Sequence, residues 1–265
     1  MPRLLSLAAI GLATGLLSAL FGVGGGLIVV PALVAFRRFP LKQATATSLL
    51  AIGFTAVFGG IRYGLSGDVH FLDAVLIGVP AMLGVTFGTS LQRRISTRVL
   101  HAGFAVVAAV TGLKLVTGVG GFESSSSSIT AEHLLLVGAL GIVAGIMSGL
   151  FGVGGGIVFV PALTLGVGLS QLQAEATSLV AMIPVVVLGA YRQWRQGLVA
   201  VDVSTTIGLC SIPGVLAGAA IASSLSDDTL TKAFGVFLLV VAAQMALRGL
   251  RHTASPTPMP AHARR

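Results

Sequence analysis

Long apolar runs alternate with short polar breaks along almost the whole chain. They cover residues 4–36, 44–61, 71–91 and 99–119, and then, past a serine-rich stretch, 134–167, 174–191, 201–225 and 230–250. A helix needs roughly 20 apolar residues to cross a bilayer, so the pattern predicts membrane-crossing helices. Two runs are interrupted by glycine. Phe21-Gly22-Val23-Gly24-Gly25-Gly26 leads into Leu27–Leu33, and Phe151-Gly152-Val153-Gly154-Gly155-Gly156 leads into Ile157–Leu163. Each glycine costs about 1 kcal/mol in a helix relative to alanine, so both runs are expected to break there, inside an apolar setting.

The two breaks are copies at an offset of 152 − 22 = 130 residues. The same offset carries Ala44, Thr47, Ser48 and Leu49 onto Ala174, Thr177, Ser178 and Leu179. It also carries Gly59, Arg62 and Gly67 onto Gly189, Arg192 and Gly197, and Gly84 and Gly88 onto Gly214 and Gly218. The chain is therefore a two-fold internal repeat. The expected organisation is a first transmembrane repeat (1–120), a Ser-rich connector (121–131), a second repeat (132–250) and a disordered basic tail (251–265). The N-terminal run could pass for a signal peptide, but residues 11–33 match 141–163, and cleavage would destroy half of a pair; it is read as retained.

Composition agrees. Hydrophobic residues make up 55% of the chain and charged residues 9%, against about 25% charged in a soluble domain. The net charge of +8 then speaks of loop orientation rather than nucleic acid, because basic loops face the cytoplasm. Arg37, Arg38 and Lys42 follow the first broken run, and Arg93, Arg94 and Arg98 the third. In the second repeat, Arg192 and Arg195 form one basic loop and Arg248, Arg251, Arg264 and Arg265 another, with Asp227 and Asp228 between them. All can lie inside only if each broken run enters and returns on one side. Each repeat then holds three spanning helices plus a glycine-broken re-entrant hairpin of half-helices. Three is odd, so the repeats are inverted, which is a plan of secondary transporters. The expected fold is all-α and polytopic, in the cytoplasmic membrane, with both termini cytoplasmic. The single cysteine, Cys210, excludes an intrachain disulfide and a CxxC metal site.

The paired FGVGGG…VPAL motifs, each followed by an Ala-Thr-Ser-Leu segment (Ala46–Leu49 and Ala176–Leu179), resemble the TauE/SafE sulfite exporter family. The resemblance covers nearly the whole chain except the connector and tail. It implies a permease for small sulfur-containing anions such as sulfite or sulfonates, without fixing the substrate.

The residues themselves support anion binding. Backbone N–H groups at a helix start lack partners, and the helix dipole adds about half a positive charge there. Glycine lets a small oxyanion come close. Gly22, Gly24, Gly25 and Gly26, with Gly152, Gly154, Gly155 and Gly156, are thus candidate sides of one anion cradle; the alternative is tight helix packing. Pro31 and Pro161 fall inside the half-helices and are expected to kink or loosen them. Ser18 and Ser148, Thr47 and Thr177, and Ser48 and Ser178 are equivalent hydroxyl pairs, suited to an anion that must later be released; interhelical bonding is the competing role. Arg62 and Arg192 are entrance cations or interfacial anchors. Tyr191 and Trp194 are expected in an aromatic belt. Glu175, whose equivalent is Thr45, is a candidate proton coupler or an ordinary first-turn carboxylate.

Phosphate-loop and GxGxxG readings fail. No Lys-Ser or Lys-Thr follows either glycine run, and Leu27 and Ile157 stand where a third glycine belongs. No HExxH, paired-carboxylate or nucleophile-turn motif marks an enzyme. No catalytic residue, metal site or cofactor is expected. The expected partners are a sulfur oxyanion or sulfonate, the bilayer and a homodimer mate, with no nucleic acid. The expected activity is alternating-access transport; a passive anion channel or a non-transporting partner subunit is the alternative.

Overall fold

The computed structural model of the protein describes residues 2–92, 97–118 and 131–251. Arg93, Arg94, the serines at 124–128 and the tail beyond Arg251, with Arg264 and Arg265, lie outside the described residues. In chain order the helices of the first repeat are α1 (Pro2–Phe21), α2 (Gly26–Arg37), α3 (Leu41–Ser66), α4 (Phe71–Leu91) and α5 (Thr97–Thr117). Those of the second are α6 (Ala131–Phe151), α7 (Gly156–Pro161, continuing as a π-helix over Ala162–Val167), α8 (Gln171–Trp194), α9 (Val201–Ser224) and α10 (Asp227–Arg251). Six of the described helices are long and apolar enough to cross a membrane.

The element starts repeat at the sequence offset: Gly26 and Gly156, Leu41 and Gln171, Phe71 and Val201. The hairpins differ from a pair of equal half-helices. α1 has 20 residues and α6 has 21, which at 1.5 Å per residue is about 30 Å, a full bilayer core. Only the second arm is short, at 12 residues in α2. The apolar run before each break is uninterrupted, so nothing stops α1 short of Phe21.

After Phe21 the chain turns back. A Cβ at Gly25 would collide with Thr14, half of α1 earlier. Val29, Val30 and Leu33 of α2 then pack with Leu7 and Ile10, near the start of α1. Both ends of segment 2–37 therefore lie at one end of the bundle. The second repeat does the same: Gly155 lies against Ala144, and Gly166 against Leu140.

Glycine also sets the helix pairings. Gly11 and Gly15 press on the α9 backbone at Ile207 and Ser211, while Gly214 and Gly218 press on Leu12 and Leu16 of α1, so α1 and α9 run parallel. In the same way Gly141, Gly145 and Gly149 of α6 meet Ile77, Ala81 and Val85 of α4. Without side chains in the way, backbones approach closely and van der Waals contact holds the pair, which matters where lipid removes any hydrophobic drive. Each hairpin thus packs on the fourth helix of the other repeat. At the centre, Leu49 lies against Gly189 and Leu179 against Gly59, so the equivalent helices α3 and α8 run antiparallel. α5 and α10 pair with each other at the periphery through Gly112 and Gly235.

The prolines act unequally. α2 continues through Pro31, whereas at Pro161 the α-helical pattern gives way to the π-helix. Proline removes one i→i−4 donor, here the one that would serve Ile157 O; Thr164 Oγ1 donates to a different carbonyl, Val160 O (3.0 Å).

Candidate functional site

The two glycine loops meet inside the bundle. Gly22, Gly24 and Gly25 have φ of 62°, 75° and 76°, and Gly152, Gly154 and Gly155 have 68°, 86° and 94°. A Cβ is penalised in this left-handed region, which explains why the second arm begins only after the glycines. Gly26 and Gly156 have ordinary φ and serve a different need. A Cβ on Gly26 would strike Gly152 O and Val153 Cα, and one on Gly156 would strike Gly22 O and Val23 Cα. The loops are fully interleaved and buried.

Gly24 and Gly154 face the same two side chains. Ile52 of α3 and Met182 of α8 lie within about 3 Å of where a Cβ on either glycine would sit. They are repeat equivalents (182 − 52 = 130) and fully buried. Sequence reading missed them. Position alone could have picked them out, since residue type differs and apolar side chains carry no chemical flag.

The starts of α2 and α7 are capped by glycine. Gly25 O accepts from Ile28 N (3.0 Å) and Val29 N (3.2 Å), and Gly155 O from Val158 N (2.9 Å) and Phe159 N (3.0 Å). No side-chain cap closes either start, so each half-helix begins on backbone groups alone, with Ile28 N and Val158 N already taken by the glycine carbonyls.

The predicted hydroxyls divide into three kinds. Ser48 and Ser178 are clasps between repeats. Ser48 Oγ lies 2.5 Å from Gly152 O and 3.1 Å from Thr45 O. Ser178 Oγ lies 2.8 Å from both Gly22 O and Glu175 O. Each has one proton to give, and in this conformation carbonyls take it. Thr47 and Thr177 hold helix starts of the opposite repeat, accepting from Ala200 N (3.1 Å) and His70 N (3.0 Å). Ser18 and Ser148 are different again: both are fully buried, and neither hydroxyl has a partner among the described residues. Thr14 Oγ1, beside Gly25, shares that state.

The charged candidates lie towards the helix ends. Arg62 binds Ser66 on its own helix. Arg192 instead crosses to α4, with Nε 3.2 Å from Thr89 Oγ1 and an Nη 3.1 Å from Ser90 Oγ. Neither approaches the glycine loops through a hydrogen bond. Tyr191 and Trp194 are about half exposed and tilted together, ring centroids 6.3 Å apart. Glu175 is fully buried; its Oε1 accepts from Gln171 Nε2 (2.8 Å), and its Oε2 has no partner among the described residues. Gln171 was invisible to sequence reading because only the α8 register puts it one turn before Glu175.

Two broken, apolar hairpins interlocked at the centre of an all-helical bundle define a polytopic integral membrane protein, with buried hydroxyls and one buried carboxyl among its helices. The chain belongs to the TauE/SafE sulfite exporter family, whose model matches residues 1–115 and 137–265. It is 27% identical to a probable membrane transporter protein of Xylella fastidiosa, over 88% of this chain and 89% of that one. It is likewise 27% identical to one of Haemophilus influenzae, over 90% and 96%. A shorter match, 32% identical to the probable membrane transporter protein YunE of Bacillus subtilis, covers 41% of this chain and 40% of that protein. Membership in a family of probable membrane transporters supports a transport role.

Proposed function

We propose that the protein is a secondary permease for small sulfur oxyanions or sulfonates, working by alternating access in the cytoplasmic membrane with both termini cytoplasmic. The observation that carries this reading is the pair Ser18 and Ser148. They are equivalent and buried, and their hydroxyls are uncommitted near the ends of α1 and α6, just before the two glycine loops. A buried hydroxyl without a partner costs about 1–3 kcal/mol, so a ligand oxygen there relieves a cost the protein otherwise carries. The first-turn N–H groups of α2 and α7 supply the complementary positive end.

The interleaved loops correspond to a closed state on this reading. An anion enters when one loop separates from the other, and Ile52 and Met182 form the apolar plug between them. The opposite directions of α3 and α8 favour such a scheme, because inverted repeats give the two access states related geometry.

Labelled sulfite flux into proteoliposomes of the purified protein, competed with sulfate, sulfonates and phosphate, tests the proposal. Saturable flux blocked by a sulfur anion is expected. Unsaturable current would indicate a passive channel instead. No flux of any anion by folded protein would leave a partner-subunit role.

A further inference from the structure

The second repeat carries a polar chain that the first lacks. Asp227, exposed at the start of α10, accepts from Gln171 N (2.8 Å) and Leu172 N (3.4 Å) at the start of α8. Gln171, 1% exposed, passes its side-chain amide to Glu175 Oε1. One turn on, Ser178 bridges Glu175 O and Gly22 O. The loop packs directly on this turn, since a Cβ on Gly22 would lie 2.7 Å from Glu175 Cα. The equivalents of Gln171 and Glu175 are Leu41 and Thr45, so the feature is not a by-product of the repeat.

The chain is short of protons. Glu175 Oε2 and Gln171 Oε1 are both acceptors, both buried, and both without a donor among the described residues. A carboxylate left so costs much more than a neutral group. A guanidinium or ammonium would cure this, but none is hydrogen-bonded here. The titratable and charged groups around this end of α8 are Asp227 on α10, with Asp228 and Lys232 of the same helix paired to each other (2.7 Å), Tyr63 and Arg62 on α3, and Asp68, His70 and Asp73 at the start of α4. Of these His70 Nδ1 is engaged with Asp73 (3.6 Å), Arg62 with Ser66, and the Tyr63 hydroxyl with Ala19 O (2.8 Å). The α1 end, the glycine loop and the π-helix add no charge.

We propose that Glu175 is a proton-binding site reached from the Asp227 end of α8, and that its occupancy is relayed through Ser178 to the Gly22 loop. The carboxylate takes one proton from that side to become the neutral acid and returns it as the carboxylate, with no other bond changed. This deepens the permease reading by naming its coupling ion, yet proton binding is measurable without transport.

Treat the purified wild-type protein with dicyclohexylcarbodiimide, which adds to protonated carboxyl groups in apolar surroundings, and map the product by peptide mass. In parallel, record the infrared carboxylic-acid band of wild type and Glu175→Gln across a pH series. The expected result is modification at Glu175 that declines as pH rises, and a titrating band absent from the variant. In proteoliposomes, the variant should lose the acceleration of sulfite flux by a pH gradient. An unmodified Glu175 at low pH, a band unchanged in the variant, or acceleration by a sodium gradient in place of a proton gradient overturns the site. Should the variant not fold, the wild-type labelling decides alone. Titration of Glu175 with no anion flux would sink the permease while leaving the proton site, and flux with an inert Glu175 would do the reverse.

Discussion

Ser48 and Ser178 hold a loop of the other repeat, whereas Ser18 and Ser148 bond to nothing described. Truncation separates these roles. Ser178→Ala or Ser48→Ala strips a buried carbonyl of its donor and should cost about 1–3 kcal/mol, read as a lower unfolding temperature in detergent. Ser18→Ala and Ser148→Ala remove no internal bond and relieve an unpartnered buried hydroxyl, so stability should hold or rise, by up to about 1–3 kcal/mol. Sulfite binding, followed by calorimetry on the same samples, should weaken in those two. Equal destabilisation by all four would make Ser18 and Ser148 ordinary packing residues. Sequence pairing by the offset of 130 found all four, but it could not sort them, because the sorting depends on which carbonyl comes within reach.

At the scale of elements, glycine has separate jobs at neighbouring positions. Gly25 sits at φ 76° with Thr14 where its Cβ would be. Gly67 has φ 80° but open space around it. Alanine at Gly67 should therefore cost only the left-handed backbone term, about 1–2 kcal/mol, while alanine at Gly25 should cost clearly more. Thermal unfolding of the two variants checks this, and matching losses would mean that the Thr14 contact relaxes freely. The seam between α1 and α9 makes a related prediction. Gly15→Leu places a bulky side chain against Ser211 O and should prevent folding, whereas leucine at Gly103, which has nothing nearby, should be tolerated. Expression and size-exclusion profiles distinguish the two cases.

For the whole molecule, the sequence halves and the packed bodies do not coincide. α1 lies on α9 and α3 lies on α9, while α6 and α8 both lie on α4. Two groups result, α1–α2–α3–α9 and α6–α7–α8–α4, each borrowing one helix across the repeat boundary and meeting along α3 and α8. If access alternates as proposed, rocking should move the two groups against each other at the α3–α8 contact. In a background lacking Cys210, cysteines at 52 and 182 joined by a short cross-linker should stop flux. Cysteines at 7 and 203, whose leucine and valine share one buried cluster within the first group, should permit it. Flux surviving the 52–182 link would rule out separation at that plane.

The sequence by itself determined much of this protein. Apolar run length marked the spans, the glycine clusters marked the breaks, and the exact offset of 130 marked the repeat and its equivalent residues. These are local properties, since hydropathy and backbone freedom act within a few residues of where they are written. Tertiary structure decided the rest. It crossed α4 and α9 between repeats and interleaved Gly26 with Gly152. It also set Ile52 against Met182 and placed Gln171 and Asp227 in line with Glu175. Those outcomes depend on which backbones can approach most closely, and that is fixed by pairs of residues far apart in the chain rather than by any one segment.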